Sequence, residues 1–306
     1  MSNRQTQGFS RATLLALLLI VLTTCGDPPA TQRREESHPS RIVSLSPSAT
    51  EILYGVGAWP QVVAVSQYCT YPDDVINKPR VGGWGSTNLE QVTALKPDLV
   101  IGVDAQEPFV KDKLSSLGMR SLFVKSQSLE DVLTAIDEIG RHTGHEQEGA
   151  ELIKRTRREL DEVRAAVANR QHPRVLCVVD RVPGTLRDIY VAAPGSFIDE
   201  LIGVAGGESI APRSGHGYAL ITKEAVLSLN PEVIIEMVQG ASGKLAEDPG
   251  AVWQGLSEVR AVRDRRVYSL RDPSVIHPSQ FVGRTARIFA HHIHPEVFPD
   301  GPGKQQ

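Results

Sequence analysis

The chain has 306 residues, 41% of them hydrophobic, 23% charged and 5% aromatic, with 26 Gly and 20 Pro, which is too apolar and varied for a disordered or collagenous chain and too polar for a multi-span membrane protein. With 33 Lys+Arg against 36 Asp+Glu there is no basic excess of the kind that marks nucleic-acid binding, so no nucleic-acid partner is expected. Three cysteines cannot build a disulfide framework, and this length suits two lobes of about 100 to 150 residues each.

Arg4 and Arg11 precede an unbroken apolar run from Leu14 to Leu22, followed by Thr23-Thr24-Cys25. A membrane span takes about 20 apolar residues, so this shorter run reads as a secretory signal over residues 1–24. Leu22-Thr23-Thr24-Cys25 resembles the lipobox of bacterial lipoproteins, in which the Cys is acylated and becomes the mature N-terminus. That places the protein outside the cytoplasm, lipid-anchored at the cell envelope. Residues 25–40 are rich in Pro and charge and nearly free of apolar side chains, as a solvated tether is.

Arg41-Ile-Val-Ser-Leu45 and Arg174-Val-Leu-Cys-Val178 predict strands at nearly the same offset in two halves of the chain. Each precedes a helix-start pattern, Ser48-x-x-Glu51 and Ser196-x-x-Asp199. An internal repeat supports the duplication: Glu90 to Ile101 aligns without gaps to Glu224 to Ile235, 134 residues on. Both read Glu-x-Val-x-x-Leu-x-Pro-acid-apolar-apolar-Ile, a short helix stopped before a proline and followed by a buried strand. Strands alternating with helices imply parallel sheets with right-handed crossovers. Between the copies, residues 146–169 contain no Pro, carry Glu/Arg pairs at helical spacing, and place Ile153, Leu160, Val163 and Val167 on an apolar stripe. The expected fold is α/β, two Rossmann-like lobes with parallel sheets joined by one long backbone helix. The N-terminal lobe spans 41–145, the connecting helix 146–170, the C-terminal lobe 171–299 and a tail 300–306. A single helical connection predicts a stiff pair of lobes.

In open parallel sheets, ligands bind beyond the carboxyl ends of the strands. Loops after predicted strands carry Tyr68, Gly82-Gly83-Trp84, His216-Gly-Tyr218, and Asp272 with His277. In a chain so poor in aromatics, rings at strand ends suit a flat ligand. Walker, dinucleotide, zinc-protease and nucleophile-elbow motifs are missing from the sequence. His291-His292-x-His294 lies at the end of the last amphipathic segment, where imidazolium complements the helix C-terminus; with no Cys or carboxylate at close spacing, no metal site is assigned. Arg155, Arg157 and Arg158 read as a solvated helix face. Cys69 and Cys177 read as two separate buried thiols.

Arg41-Ile-Val-Ser-Leu-Ser-Pro47-Ser-Ala-Thr-Glu51 resembles the opening of the class III solute-binding proteins of bacterial ABC importers. Val65-Ser-x-Tyr68-Cys-x-Tyr71-Pro72, Val81-Gly-Gly-Trp84, Asn88-Leu-Glu90 through Ile101, Tyr190 to Gly195, Asp199-Glu-Leu201 and Ala205-Gly-Gly207 extend the resemblance over about residues 41–299. It implies two Rossmann-like lobes on a long helix, a monomer without catalytic residues or an intrinsic cofactor, and a ligand drawn from corrinoids, haem and ferric siderophores. The likeness is strongest to the cobalamin-binding members. In that likeness Tyr68, Trp84 and Tyr218 fall on aromatic positions of the corrinoid cradle and Asp272 on a polar contact, while Val103 replaces a further cradle Trp and the 179–187 loop lacks aromatics. It also implies that Glu90 and Glu224 dock on an ABC permease dimer, which works with its ATPase; the alternative is that each only complements its helix dipole. Two competing readings are a haem receptor with His216 or Tyr218 on iron, and an enzyme using His216 or His277. No carboxylate–His pairing is evident at any sequence spacing, which weighs against the enzyme.

Overall fold

The computed structural model describes residues 38–237 and 249–299. The signal segment, Cys25, most of the 25–40 tether and the 300–306 tail lie outside the described residues. β1 (Ile42–Ser44), β2 (Val62–Val65), β3 (Leu99–Val103) and β4 (Ser121–Val124) form a sheet in the order β2-β1-β3-β4, parallel throughout. β1 and β3 are buried at every residue, as strands covered on both faces must be. On one face Ile42, Leu99 and Ile101 pack with α1 (Pro47–Gly55) and α4 (Leu129–Thr143); on the other Val43 and Val100 pack with α2 (Leu89–Ala94) and α3 (Glu107–Ser116). The start of α1 falls before the Ser48–Glu51 pattern. Ser46 is the N-cap, accepting from Ala49 N at 3.1 Å, and Pro47 takes the first helical position, where its missing N–H costs nothing. Glu51 therefore sits one turn inside the helix and is buried.

α5 (Glu146–Val167) is a single helix of about 33 Å. It buries Leu152, Leu160, Val163 and Val167 against α4 and α9 (Val282–Ile293). Its arginines face outward: Arg157 meets Glu130 at 3.5 Å and Arg158 meets Glu162 at 3.7 Å, all exposed.

The second sheet runs β10 (Val267–Ser269), β9 (Val233–Glu236), β5 (Arg174–Asp180), β6 (Ile189–Ala192), β8 (Tyr218–Ile221), with β7 (Glu208–Ser209) also on β5. Here the expectation of a parallel sheet is corrected: β5–β6 and β6–β8 are antiparallel, while β9 and β10 keep the parallel arrangement. A parallel crossover needs about a dozen residues or more, and residues 181–188 between β5 and β6 are too few. They close a hairpin instead, with Val182 N bonded to Arg187 O at 3.0 Å. α6 (Phe197–Val204), α7 (Lys223–Leu229) and the short α8 (Arg260–Arg263) complete this half, and Ser196 caps α6 as its sequence pattern suggests.

The repeat extends to individual hydrogen bonds. In the first copy the Arg41 guanidinium donates to Leu95 O at 2.7 Å and Asp98 accepts from Arg41 N at 2.9 Å. In the second, Arg174 donates to Leu229 O at 2.8 Å and Glu232 accepts from Arg174 N at 2.8 Å. Lys96 (φ 47°) and Asn230 (φ 44°) occupy the same left-handed position before the proline. One apolar cluster runs from Ile42 and Ile101 through α5 to Val233, Ile235 and Phe289, and Glu200 of α6 accepts from Leu129 N at the start of α4 at 2.8 Å. Cys69 and Cys177 are free and buried.

Candidate functional site: an aromatic-lined cleft

A cavity of about 1020 Å³ opens where the strands of the first sheet end. Each of its four strands delivers lining residues: Ser46 to Ser48 after β1, Gln67 and Tyr68 after β2, Val103 and Asp104 at the end of β3, Ser126 and Gln127 after β4. The opposite wall carries Gly195 to Phe197 after β6, His216 and Tyr218 at β8, and Arg271, Ile276 and His277 beyond β10.

Local structure explains why these side chains point into the cleft. The Arg80 guanidinium donates to the carbonyls of Ser66 (3.1 Å), Cys69 (2.7 Å) and Val75 (3.1 Å), which fixes the loop holding Tyr68. The turn bearing Trp84 lies tight against that loop: a Cβ on Gly83 would come within 2.8 Å of Gln67 Nε2 and 3.0 Å of the Tyr68 ring. Across the cleft, a Cβ on Gly217 would fall 3.0 Å from Gly195 O, and both glycines have left-handed backbone (φ 72° and 100°). That crossing brings His216 and Tyr218 up to the wall.

Trp84 is 43% exposed, Tyr68 49% and Tyr218 41%, whereas Trp253 is 0% exposed in the second lobe's core. Burial, with the neighbouring Cys177 thiol, pushes the Tyr218 phenol up to about 12, so its hydroxyl stays protonated at neutral pH.

Of the site residues expected from sequence, Tyr68, Trp84, His216, Tyr218 and His277 line the cavity, as does Val103. Asp272 does not. Its carboxylate turns away, accepting from Ser274 N (3.0 Å) and Oγ (2.7 Å) and pairing with Arg284 at 2.6 Å. Burial opposes its charge, but the Ser274 hydrogen bonds and the Arg284 guanidinium hold the carboxyl below its ordinary value. The neighbouring Arg271 reaches the cavity in its place, exposed and without an ion pair among the described residues. None of residues 179–187 lines the cavity, because Arg181 ties that hairpin inward to the buried Glu236.

A carboxylate–His pair does exist. Glu51 Oε1 accepts from His277 Nδ1 at 2.6 Å, the Ser279 hydroxyl donates to the other carboxylate oxygen, and Gln280 Nε2 donates to Glu51 O at 2.8 Å. The two partners are 226 residues apart in sequence, so no local spacing could announce them; Pro47 directly after Ser46 was the one hint that Glu51 lies inside the helix. His277 Nε2 has no hydrogen-bond partner among the described residues and is not one of the sealed, unpartnered polar atoms of the interior. His277 itself lines the cavity.

The three histidines at the end of α9 go separate ways. His291 bonds to Phe298 O, His294 to Gly206 O at 3.1 Å, and His292 stacks on Tyr268 with ring centroids 4.3 Å apart. Burial, then the neighbouring His291, lowers His292 to about 4, so desolvation outweighs the helix dipole there. No group of three or more His, Cys, Asp or Glu suited to a metal ion occurs among the described residues. Glu90 and Glu224 are both exposed, in the first turns of α2 and α7 behind the N-caps Asn88 and Thr222. Its own backbone N–H, then the Thr222 hydroxyl, lowers the Glu224 carboxyl.

The sequence pattern of the family described as periplasmic binding protein matches residues 42–273. Among curated proteins, the uncharacterized ABC transporter substrate-binding lipoprotein YvrC of Bacillus subtilis (strain 168) is 28% identical over 94% of this chain and 97% of its own length. Among solved structures, the periplasmic vitamin B12 binding protein BtuF of Vibrio cholerae is similar with a TM-score of 0.71 and 26% identity, covering 85% of this chain and 98% of its own. A periplasmic heme binding protein from Pseudomonas aeruginosa gives 0.72 and 26%, covering 84% and 93%.

Proposed function

We propose, for a chain that belongs to the periplasmic binding protein family and is the substrate-binding component of an ABC importer, that its cargo is a corrinoid. The observation that carries this reading is a cavity of about 1020 Å³ with exposed aromatic rings on both walls. Drug-sized ligands occupy roughly 300 to 1,000 Å³, so this cleft takes a large ligand. Tyr68 and Trp84 cover one apolar face and Tyr218 the other, and burial of those faces supplies the affinity. Gln67, Asp104, Ser126 and Arg271 orient the polar edge of the ligand. Asp272 acts from behind, holding the turn that carries Arg271. The cargo is carried without catalysis. Export by the 1–24 segment and acylation of Cys25 keep the receptor at the membrane, where two acyl chains give stable attachment. There Glu90 and Glu224 meet a permease dimer coupled to its ATPase.

A haem cargo is the second reading, favoured by two histidines, His216 and His277, on the cavity wall. Calorimetric titration with cobalamin, haemin and a ferric siderophore tests the assignment. Cobalamin should bind most tightly; tighter haemin binding replaces the corrinoid with haem, and binding of the siderophore alone overturns a flat tetrapyrrole cargo.

A further inference from the structure

We infer that His277 is an axial ligand to the metal of the bound tetrapyrrole, with buried Glu51 as the positioning residue that fixes its tautomer. The inference rests on the tetrapyrrole reading above and adds to it the coordination of the cargo. A bare cation finds no cage of three donors among the described residues. A metal that arrives with four equatorial nitrogens already in place needs only one or two protein ligands, and the cleft offers those.

Three side chains on the cavity wall could serve: His216, Tyr218 and His277. Tyrosine ligates as phenolate, so Tyr218, whose phenol burial raises to about 12, must first give up a proton to do so. The His216 ring has no hydrogen-bond partner among the described residues to set its orientation or tautomer. His277 differs from both. Its Nδ1 faces the Glu51 carboxylate at 2.6 Å, and a carboxylate can only accept, so Nδ1 carries a proton and Nε2 is the nitrogen left for a metal. Glu51 is 2% exposed and bound as well by Ser279, so its orientation is fixed before any ligand arrives. Metal-ligating histidines characteristically donate their second ring N–H to a carboxylate, which orients the ring and raises its basicity. The ring thus reaches the cavity preorganised, spanning from α1 of the first lobe to the segment that leads into α9.

In the binding step the Nε2 lone pair forms a bond to the metal and the axial water leaves to solvent. The oxidation state is unchanged. Both a ferric porphyrin and an aquated cobalt corrinoid have such an exchangeable position.

The experiment loads the purified protein and two variants, His277→Ala and Glu51→Gln, with haemin, aquocobalamin and metal-free protoporphyrin IX. Binding, visible absorption and electron paramagnetic resonance are recorded for each. The wild-type haemin complex should show a nitrogen axial ligand. His277→Ala should lose that signature and bind haemin about ten- to a hundredfold more weakly, while metal-free protoporphyrin binds both proteins alike, which also shows the variant is folded. Added imidazole should restore the wild-type spectrum of His277→Ala. Glu51→Gln should keep the ligand but move the iron reduction potential upward, because a neutral amide makes a weaker donor of His277. A nitrogen signature that persists in His277→Ala, or that disappears only in His216→Ala, overturns the assignment. So does metal-free protoporphyrin binding the wild type as tightly as haemin. An unchanged potential in Glu51→Gln overturns the positioning role. If none of the three compounds binds, the tetrapyrrole reading itself falls, and this inference with it.

Discussion

Residue types recur in two settings here, sealed in the second lobe's interior and opening on the cleft. Trp253 is fully buried and donates its indole N–H to Glu236 Oε2 at 3.3 Å, whereas Trp84 is 43% exposed at the cavity. Glu236 is closed off by Arg181, Trp253 and Ser269; Glu51 is as deeply buried, yet its partner His277 lines the cavity. His292 is held against Tyr268 with its charge suppressed, while His277 is oriented toward the cleft. The same residue types thus stabilise the fold where their partners lie in the interior, and become available to a ligand where the side chain lines the cavity.

Mutations at the sealed members should break the fold and leave the site alone. Trp253→Ala removes a buried aromatic and a donor to Glu236, and should cost about 3–5 kcal/mol in chemical denaturation, with ligand affinity per folded molecule unchanged. Glu236→Ala should cost a similar amount, about 3–5 kcal/mol, because it removes the buried carboxylate that pairs with Arg181. The open members should behave the other way. Trp84→Ala should weaken ligand binding by roughly 1–3 kcal/mol in calorimetry, with the denaturation midpoint nearly unmoved. An unfolded Trp84→Ala protein would make Trp84 a core residue and collapse the distinction.

The pH dependence sharpens the histidine pair. His292 falls from its ordinary 6.5 to about 4 in the folded protein. Between those values the unfolded chain takes up a proton that the folded one refuses. Stability conferred by neutral His292 is therefore complete above pH 6.5, declines as pH falls toward 4, and changes no further below it. His292→Phe keeps the stack on Tyr268 and should flatten that part of the stability–pH curve. The smallest effect on the protein itself is expected for Glu90→Ala with Glu224→Ala. Ligand affinity should not change, while reconstituted transport should be lost because rim charges act through encounter and register. Full transport by the double variant would leave the two carboxylates as helix-dipole partners only.

What could be read in the sequence follows how far apart the interacting residues lie. The repeat was legible because a helix, a stop before proline and a buried strand are encoded within twelve contiguous positions, and Arg41 with Asp98 and Arg174 with Glu232 then reproduce the same bonds. Tyr68 and Trp84 were legible because they sit in the loops after β2, where topology places them; Tyr218 instead opens β8, antiparallel to β6 and beside its end. The hairpin between β5 and β6 was missed because the repeat carried the expectation of a parallel sheet beyond the duplicated segment. Asp272 was placed in the site on resemblance, yet Ser274 and Arg284 claim its carboxylate and Arg271 faces the ligand space. The Glu51–His277 pair joins residues from opposite ends of the chain; only the folded molecule brings them together.

α5 bears on how quickly cargo comes and goes. Its inner face is embedded in one apolar cluster that continues into both sheets, so prising the halves apart would wet that shared interior. Large excursions are thereby made costly, and exchange is left to the side chains and loops at the rim. Residence time should then track rim contacts rather than a global opening equilibrium, and small-angle scattering profiles with and without cargo should nearly superimpose. A receptor of such low compliance should present its loaded state to a permease through the ligand and the rim of the cleft, with little change of outline.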